Sequence, residues 1–267
     1  MIKYVENLRI TNSTYTGEIV NGKRHGKGVQ LWDDGAKYDG EWENDKPNGY
    51  GIFYHVDGDV YKGYWKDDKA NGEGVYISSD GGKYEGFWIN DLQHGFGSEE
   101  WKDGSSYKGN YNMGKKEGEG EYIWSNGCRY KGNWCDNKLN GYGVYYYNDG
   151  RIYEGEFVDN VKEGKGKMIW KDGRKYFGFF KKDKKNGIGI YFWSDGRVYV
   201  GFWNENKQNG FGKYVNGKED GVKFGIWENG KRKEWLKEEE IQDNGNEFHQ
   251  YYESVCKFEE DAKNVKF

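Results

Sequence analysis

The sequence predicts an all-β fold: an elongated, single-layer antiparallel meander of stacked hairpins, followed by a short C-terminal helical segment. Three observations carry this expectation. A 23-residue block recurs nine times in register, its leading aromatic at Tyr15, Tyr38, Tyr61, Tyr84, Tyr107, Tyr130, Tyr153, Tyr176 and Tyr199, with no insertion. In the block 38–60, Tyr38-Asp-Gly-Glu-Trp42 alternates ring, polar, Gly, polar, ring, and a period of two is the signature of a strand. The chain of 267 residues also holds 43 Gly, one Pro, 24 Tyr and 12 Trp, so large rings rather than Leu and Ile must do the burying. A fixed period of this length marks an array whose units contact only their neighbours.

Residues 1–14 are too short for a unit, and Leu8-Arg-Ile10 is expected to add an edge strand open to pairing. The array occupies 15–230. Within residues 38–60, Tyr38–Trp42 is the first strand, Glu43-Asn-Asp-Lys-Pro-Asn48 a turn cluster, and Gly49–His55 the second strand. Val56-Asp-Gly-Asp59 returns the chain to Tyr61. Asp-Gly or Asn-Gly recurs at that return, from Asp34-Gly35 to Asp195-Gly196, and suits a type I′ turn. Tyr, Gly and Trp at alternate positions share one face. The Gly leaves a notch for a ring of an adjacent strand, and the rings at Trp42, Trp65, Trp88, Tyr111, Trp134, Phe157, Phe180 and Trp203 stack from unit to unit. Two strands per repeat at about 4.8 Å imply a body of roughly 85 Å, with a curved, groove-like face. After Gly212 the phase is lost, and Phe224–Gly230 resembles a closing half-repeat. Residues 231–267 are expected to be helical. Glu234–Gln242 is a short helix, Asp243–Asn246 a break with an N-cap, and Phe248, Tyr251, Tyr252, Val255 and Phe258 form one apolar stripe. That stripe either caps the open edge of the last repeat or is offered to a basic partner.

Composition narrows the function classes. The net charge of −4 gives no global attraction to nucleic acid. Three Cys without metal-ligand spacing favour reduced thiols and a cytoplasmic setting, and the first residues lack the apolar core of a signal peptide. His25, His55, His94 and His249 are scattered, and the recurring Asp residues lack the calcium-loop pattern. Gly-x-Gly here has no strand–turn–helix context, and neither a nucleophile elbow nor a phosphate-binding loop is present. No enzyme, cofactor or metal is expected.

The pattern Tyr-x-Gly-x-Trp, turn, Gly-x-Gly resembles the MORN repeat (membrane occupation and recognition nexus) over residues 15–214, about three quarters of the chain. Ile19 stands in the Trp place of the first copy, and the His of the His-Gly variant survives at His25 and His94 alone. The resemblance implies a non-catalytic scaffold that binds proteins, in ciliary radial spokes and axonemes or at the cell cortex. It also implies an alternative, a peripheral adaptor for acidic phospholipids.

Two sets of residues follow. A partner's helix or extended segment is expected against the aromatic face, on Trp65, Trp88, Trp134, Tyr145, Tyr147 and Trp170. The stretch 162–185 holds nine Lys, one Arg and three acids. Its Arg174, Lys175, Lys181, Lys182, Lys184 and Lys185 form a candidate patch for anionic lipid or an acidic partner. Each Lys near an anionic leaflet contributes about 1 kcal/mol, enough for a weak, salt-sensitive contact.

Overall fold

The computed structural model describes residues 1–217, 221–242, 247–263 and 265. Among them are twenty-one strands and two helices, α1 (Glu238–Gln242) and α2 (Glu247–Ala262). The chain divides into two compact units, Met1–Asn126 with Trp134–Asn137, and Gly127–Asn133 with Lys138–Phe267. Each is an open, single-layer antiparallel meander, as the repeat predicts. In the first, every strand from Ile2–Ile10 to Lys115–Ile123 pairs with its predecessor in sequence. In the second, the same holds from Lys138–Tyr146 to Lys231–Leu236.

The turns are distributed otherwise than expected. The tight turn of each repeat is the two-residue loop inside the Glu43–Asn48 cluster. Asn44 and Asp45 have φ of 50° and 69°, as a type I′ turn requires, and the second strand already begins at Lys46. Pro47 is tolerated in that strand because the register shifts beside it, where Trp42 pairs with Pro47 after Gly40 pairs with Gly51. The Asp-Gly returns are three-residue loops instead. The Gly58 N–H donates to the His55 carbonyl (3.1 Å), and the His55 N–H donates to the Asp59 carbonyl (2.8 Å). Of the Asp57-Gly58 pair, Gly58 alone sits at positive φ (94°), while the Asp57 carboxylate accepts the Asp59 N–H (3.1 Å).

The core is a zipper of rings. Tyr38 packs edge-to-face on Trp42 (5.0 Å) and on Trp65 (5.4 Å), and Tyr61 on Trp65 (5.1 Å) and Trp88 (5.4 Å). The Trp-position rings therefore do not stack on one another; a Tyr separates each pair. The same alternation runs through the second unit, where Tyr176 meets Phe180 (5.2 Å) and Trp203 (5.5 Å). Edge-to-face pairs add about 0.5–1.5 kcal/mol each beyond area burial. The glycine notch is covered by the ring of its own strand: a Cβ on Gly40 would lie 2.6 Å from Tyr38 Oη and 2.5 Å from the Gly51 Cα. The Tyr38 hydroxyl donates to the carbonyl of Glu41 (3.0 Å), the residue that the strand register skips. All nine leading tyrosines make this bond, from Tyr15 to Glu18 (2.8 Å) to Tyr199 to Phe202 (3.1 Å).

At the N-terminus the edge strand is longer than Leu8–Ile10, covering Ile2–Ile10. At the C-terminus, Glu234–Leu236 belongs to a strand (Lys231–Leu236), not to a helix; the helix starts at Glu238. The expected break at Asp243–Asn246 lies outside the described residues. The apolar stripe is on α2, and it covers a sheet face instead of the open edge. Val255, Phe258 and Ala262 bury against Phe177, Ile190, Val200 and Phe211 on the side away from the zipper. Phe258 stacks on Phe177 at 5.6 Å, and Lys213 pairs with Glu259 at 2.5 Å.

Candidate functional site

The zipper consumes three of the four tryptophans expected to meet a partner. The indole N–H of Trp65 donates to the Gly51 carbonyl, that of Trp88 to Gly74 and that of Trp134 to Gly120, each at 3.2 Å. Trp88 and Trp134 are buried and Trp65 is half-buried, so these rings are floor rather than contact surface.

A second set of rings stands on that floor. Tyr145 and Tyr147 lie 4.5 Å apart and half-exposed, and Trp170 lies 5.8 Å from Tyr191. Tyr147 and Trp170 sit where the Asp-Gly loop opens: the Gly150 N–H donates to the Tyr147 carbonyl, and the Gly173 N–H to that of Trp170, both at 3.0 Å. The loop thus fixes the ring's backbone and leaves its face half open. Equivalent rings make a shelf on the first unit: Trp32 beside Phe53 (5.6 Å), and Trp101 stacked on Tyr122 (5.3 Å). Trp32, Trp101, Trp124 and Trp193 were missed from sequence. Steps of 23 residues from Tyr147 and Trp170 lead to Trp101 and Trp193 and would have found them.

Below the shelf, the second residue of each returning strand points among the rings. Four repeats place a cation there. The Lys185 Nζ lies 4.2 Å from the Trp203 ring, 4.6 Å from Tyr191, 5.3 Å from Tyr176 and 5.8 Å from Trp170. Lys116 is held by Trp101 (4.9 Å), Tyr107 (5.1 Å) and Tyr122 (5.8 Å), Lys162 by Tyr153 (5.6 Å) and Tyr147 (5.7 Å), and Arg24 by Trp42 (4.2 Å). A cation over a ring face at these distances is an attractive contact. Burial, assisted by the nearby Arg174 charge, pushes Lys185 down to about 8, and burial also lowers Lys116.

The expected basic patch is dispersed by the same geometry. Lys185 turns into the rings. Lys184 pairs with Glu205, Arg174 with Asp172 (2.7 Å), Lys162 with Asp183 (3.3 Å) and Lys167 with Glu154 (2.6 Å). Lys181 and Lys182 are exposed, with Lys182 in the two-residue turn, and Lys175 is half-buried on its strand. Of the six residues expected to act together, only Lys181, Lys182 and Lys184 stand at one hairpin end. Among the described residues no three His, Cys, Asp or Glu side chains gather as metal donors, and no helix is long and apolar enough to cross a membrane.

No curated protein sequence matches the chain. Among solved structures it is similar to the TCP domain of SAS-4 (dCPAP) of Drosophila melanogaster in complex with a proline-rich motif of Ana2 (dSTIL). That match has 13% identity, 58% of this chain, 85% of that chain and a TM-score of 0.36. The TCP10c domain of Drosophila melanogaster Sas-4 matches at 12% identity over 62% of this chain and 92% of that one, with a TM-score of 0.30. The wild-type TCP10 domain of Danio rerio CPAP matches at 13% identity over 64% and 92%, with a TM-score of 0.25. At these scores nothing about function follows. A family model described as the MORN repeat matches residues 15–37, 38–60, 61–83, 84–106, 107–129, 130–150, 153–173, 176–196 and 199–221. Nine tandem copies in the phase of the ring zipper place the chain in the MORN-repeat family.

Proposed function

We propose that the chain is a non-catalytic scaffold that holds a helix or extended segment of a partner protein on the half-exposed aromatic shelf. One observation carries this reading. The shelf rings are not needed for the zipper, whose tyrosine hydroxyls and indole N–H groups are already satisfied, yet of the eight equivalent positions six carry Trp or Tyr (Trp32, Trp101, Trp124, Tyr147, Trp170 and Trp193), with His55 and Ser78 at the other two. Half-buried aromatic residues with a polar tip are the side chains that dominate protein interfaces. The ciliary axoneme or radial spoke, or a cortical cytoskeletal assembly, is the setting that the family resemblance supports.

Photo-crosslinking tests the shelf. p-Benzoylphenylalanine at Tyr147 and at Trp170 should capture the same protein in stoichiometric yield, whereas the probe at Tyr142, exposed on the opposite face of the same unit, should not. Capture from neither shelf position would sink the proposal. Flotation with phosphoinositide vesicles separates the phospholipid reading. Binding lost on charge reversal of Lys181, Lys182 and Lys184 would favour the membrane adaptor instead; the carboxylate pairing of Lys184, Arg174, Lys162 and Lys167 weighs against it.

A further inference from the structure

Ala70 stands at the repeat position that Lys116, Lys162, Lys185 and Arg24 fill elsewhere. Three rings of the Lys185 cage have counterparts around it, Tyr61 for Tyr176, Tyr76 for Tyr191 and Trp88 for Trp203, while His55 stands where the fourth, Trp170, would be. Tyr61 meets Trp88 edge-to-face at 5.4 Å, and Tyr76 lies 6.5 Å from Trp88. Ala70 and these rings border an open cleft of about 600 Å³; Tyr61, Ala70 and Trp88 form its buried floor, and Trp65, Tyr76 and Trp101 are its half-buried walls.

The electrostatics around this cleft are inverted relative to the filled cage. Where the filled cage has Arg174, five repeats earlier in the sequence stands Asp59. Its carboxylate accepts the Tyr76 hydroxyl and the Ser79 N–H (2.8 Å), and these bonds hold it below the usual carboxylate range. Asp59 lies behind Tyr76; the carboxylates that line the cleft are Asp80, Asp91, Glu99 and Glu100, of which Glu99 accepts the Tyr111 hydroxyl (2.7 Å) and lies 3.8 Å from Lys116, while Lys83 on the wall is tied to Glu85 (2.7 Å). The ring faces and the carboxylates both favour a positive guest, and the chain's own side chain at this position is a methyl group.

We propose that the cleft over Ala70 receives a lysine side chain of a partner polypeptide, its ammonium taking the place that Lys116, Lys162 and Lys185 fill for themselves. An arginine is the poorer match, because three of the four internal occupants are lysines. The proposal rests on the reading of the ring face as a partner surface, but its test needs no partner.

The probe is the capped tripeptide Gly-Lys-Gly, followed by the indole Nε1–H resonances of Trp65 and Trp88 in the full chain. These resonances should shift saturably in the millimolar range. The Gly-norleucine-Gly peptide, equal in length and uncharged, should leave them unmoved. Ala70→Lys should abolish the response by filling the cage, and Asp59→Arg, which copies the charge beside Lys185, should weaken it several-fold. Lys185→Ala should open a second site reported by Trp203. An equal response to the norleucine peptide would overturn the proposal in favour of an apolar groove. So would an undiminished response in Ala70→Lys, or no saturable shift at all. If the peptide fails while Tyr147 and Trp170 still crosslink to a partner, the lysine cage falls and the shelf stands.

Discussion

The Lys185 ammonium lies 4.2 Å from the centroid of the Trp203 ring, inside a strand position where its neighbour Lys184 instead meets Glu205. Burial and the Arg174 charge bring Lys185 down from 10.5 to about 8. The unfolded chain therefore binds this proton more tightly between those two values. The group costs stability in full below about pH 8, and the cost fades as pH rises toward 10.5. A Lys185 13Cε resonance titrating near 8 is the expected outcome, with a stability that rises from pH 8 until, near about 10, the unfolded chain begins to ionise tyrosines such as Tyr15 that burial keeps protonated in the fold. Lys185→Met should remove that slope. A midpoint at the ordinary lysine value would show that the cage does not desolvate the ammonium.

The Tyr38–Gly40 contact makes a second prediction. A Cβ at Gly40 would collide with Tyr38 Oη and the Gly51 backbone, so Gly40→Ala should destabilise by about 1–3 kcal/mol, as over-packing does. Tyr38→Phe removes the donor to the Glu41 carbonyl and should cost about 1 kcal/mol. Because the lost hydroxyl is one of the clashing groups, the double variant should be more stable than the sum of the two single effects. Denaturant unfolding of the four proteins measures the coupling, and strict additivity would mean that the alanine is accommodated some other way.

Much of this was legible in the sequence, for a physical reason. A ring covering its own strand's glycine needs Tyr and Gly at i and i+2, and the indole donating to the preceding repeat needs a constant spacing. An insertion within either strand would break them, so the spacing of Tyr, Gly and Trp inside the 23-residue step is the zipper written out. The turns were not legible, because both ends of each repeat carry Asn, Asp and Gly. Only backbone geometry tells the Asn44-Asp45 pair, both at positive φ, from Asp57-Gly58, where only the glycine is. Summing charge over 162–185 misled because a strand sends successive side chains to opposite faces. Lys184 and Lys185 add in sequence and separate in space.

The docking of α2 was also written in the chain but masked by the ring pattern. In the early repeats at least one residue beside the first glycine is charged or polar, as Asp39 and Glu41, or Lys62 beside Tyr64 and Glu85 beside Phe87; in the last two both become apolar, Phe177 and Phe179, then Val200 and Phe202. That switch turns the opposite face apolar where Val255 and Phe258 bury. Val255→Asp should detach α2, because an unpaired carboxylate in that core carries a several-kcal/mol desolvation penalty. Hydrogen exchange should then accelerate across Glu247–Ala262, while Tyr176–Phe180 stays protected by the zipper. Loss of protection throughout the Lys175–Lys181 strand would instead make the helix part of the fold's minimum.

Three hairpin turns, opened by Met113, Lys182 and Glu205, carry a first residue poorly suited to positive φ, and Met113 is the apolar one. Met113 opens the turn before Gly114 with φ of 46°, where other copies have Asn44, Asn90 or Asp136 at φ near 50°. A side chain without a short polar group costs about 1–2 kcal/mol in this left-handed region, and Asn relieves part of that cost through its local hydrogen bonding. Met113 is also 45% exposed, so little packing is lost with it. Met113→Asn should therefore stabilise the protein by several tenths of a kcal/mol to about 1 kcal/mol, seen as a higher midpoint in thermal unfolding with no change in the near-ultraviolet signal of the rings. The reverse change, Asn90→Met, should lower the midpoint by a similar amount. If Met113→Asn lowers it instead, the methionine makes a contact whose worth exceeds the backbone strain.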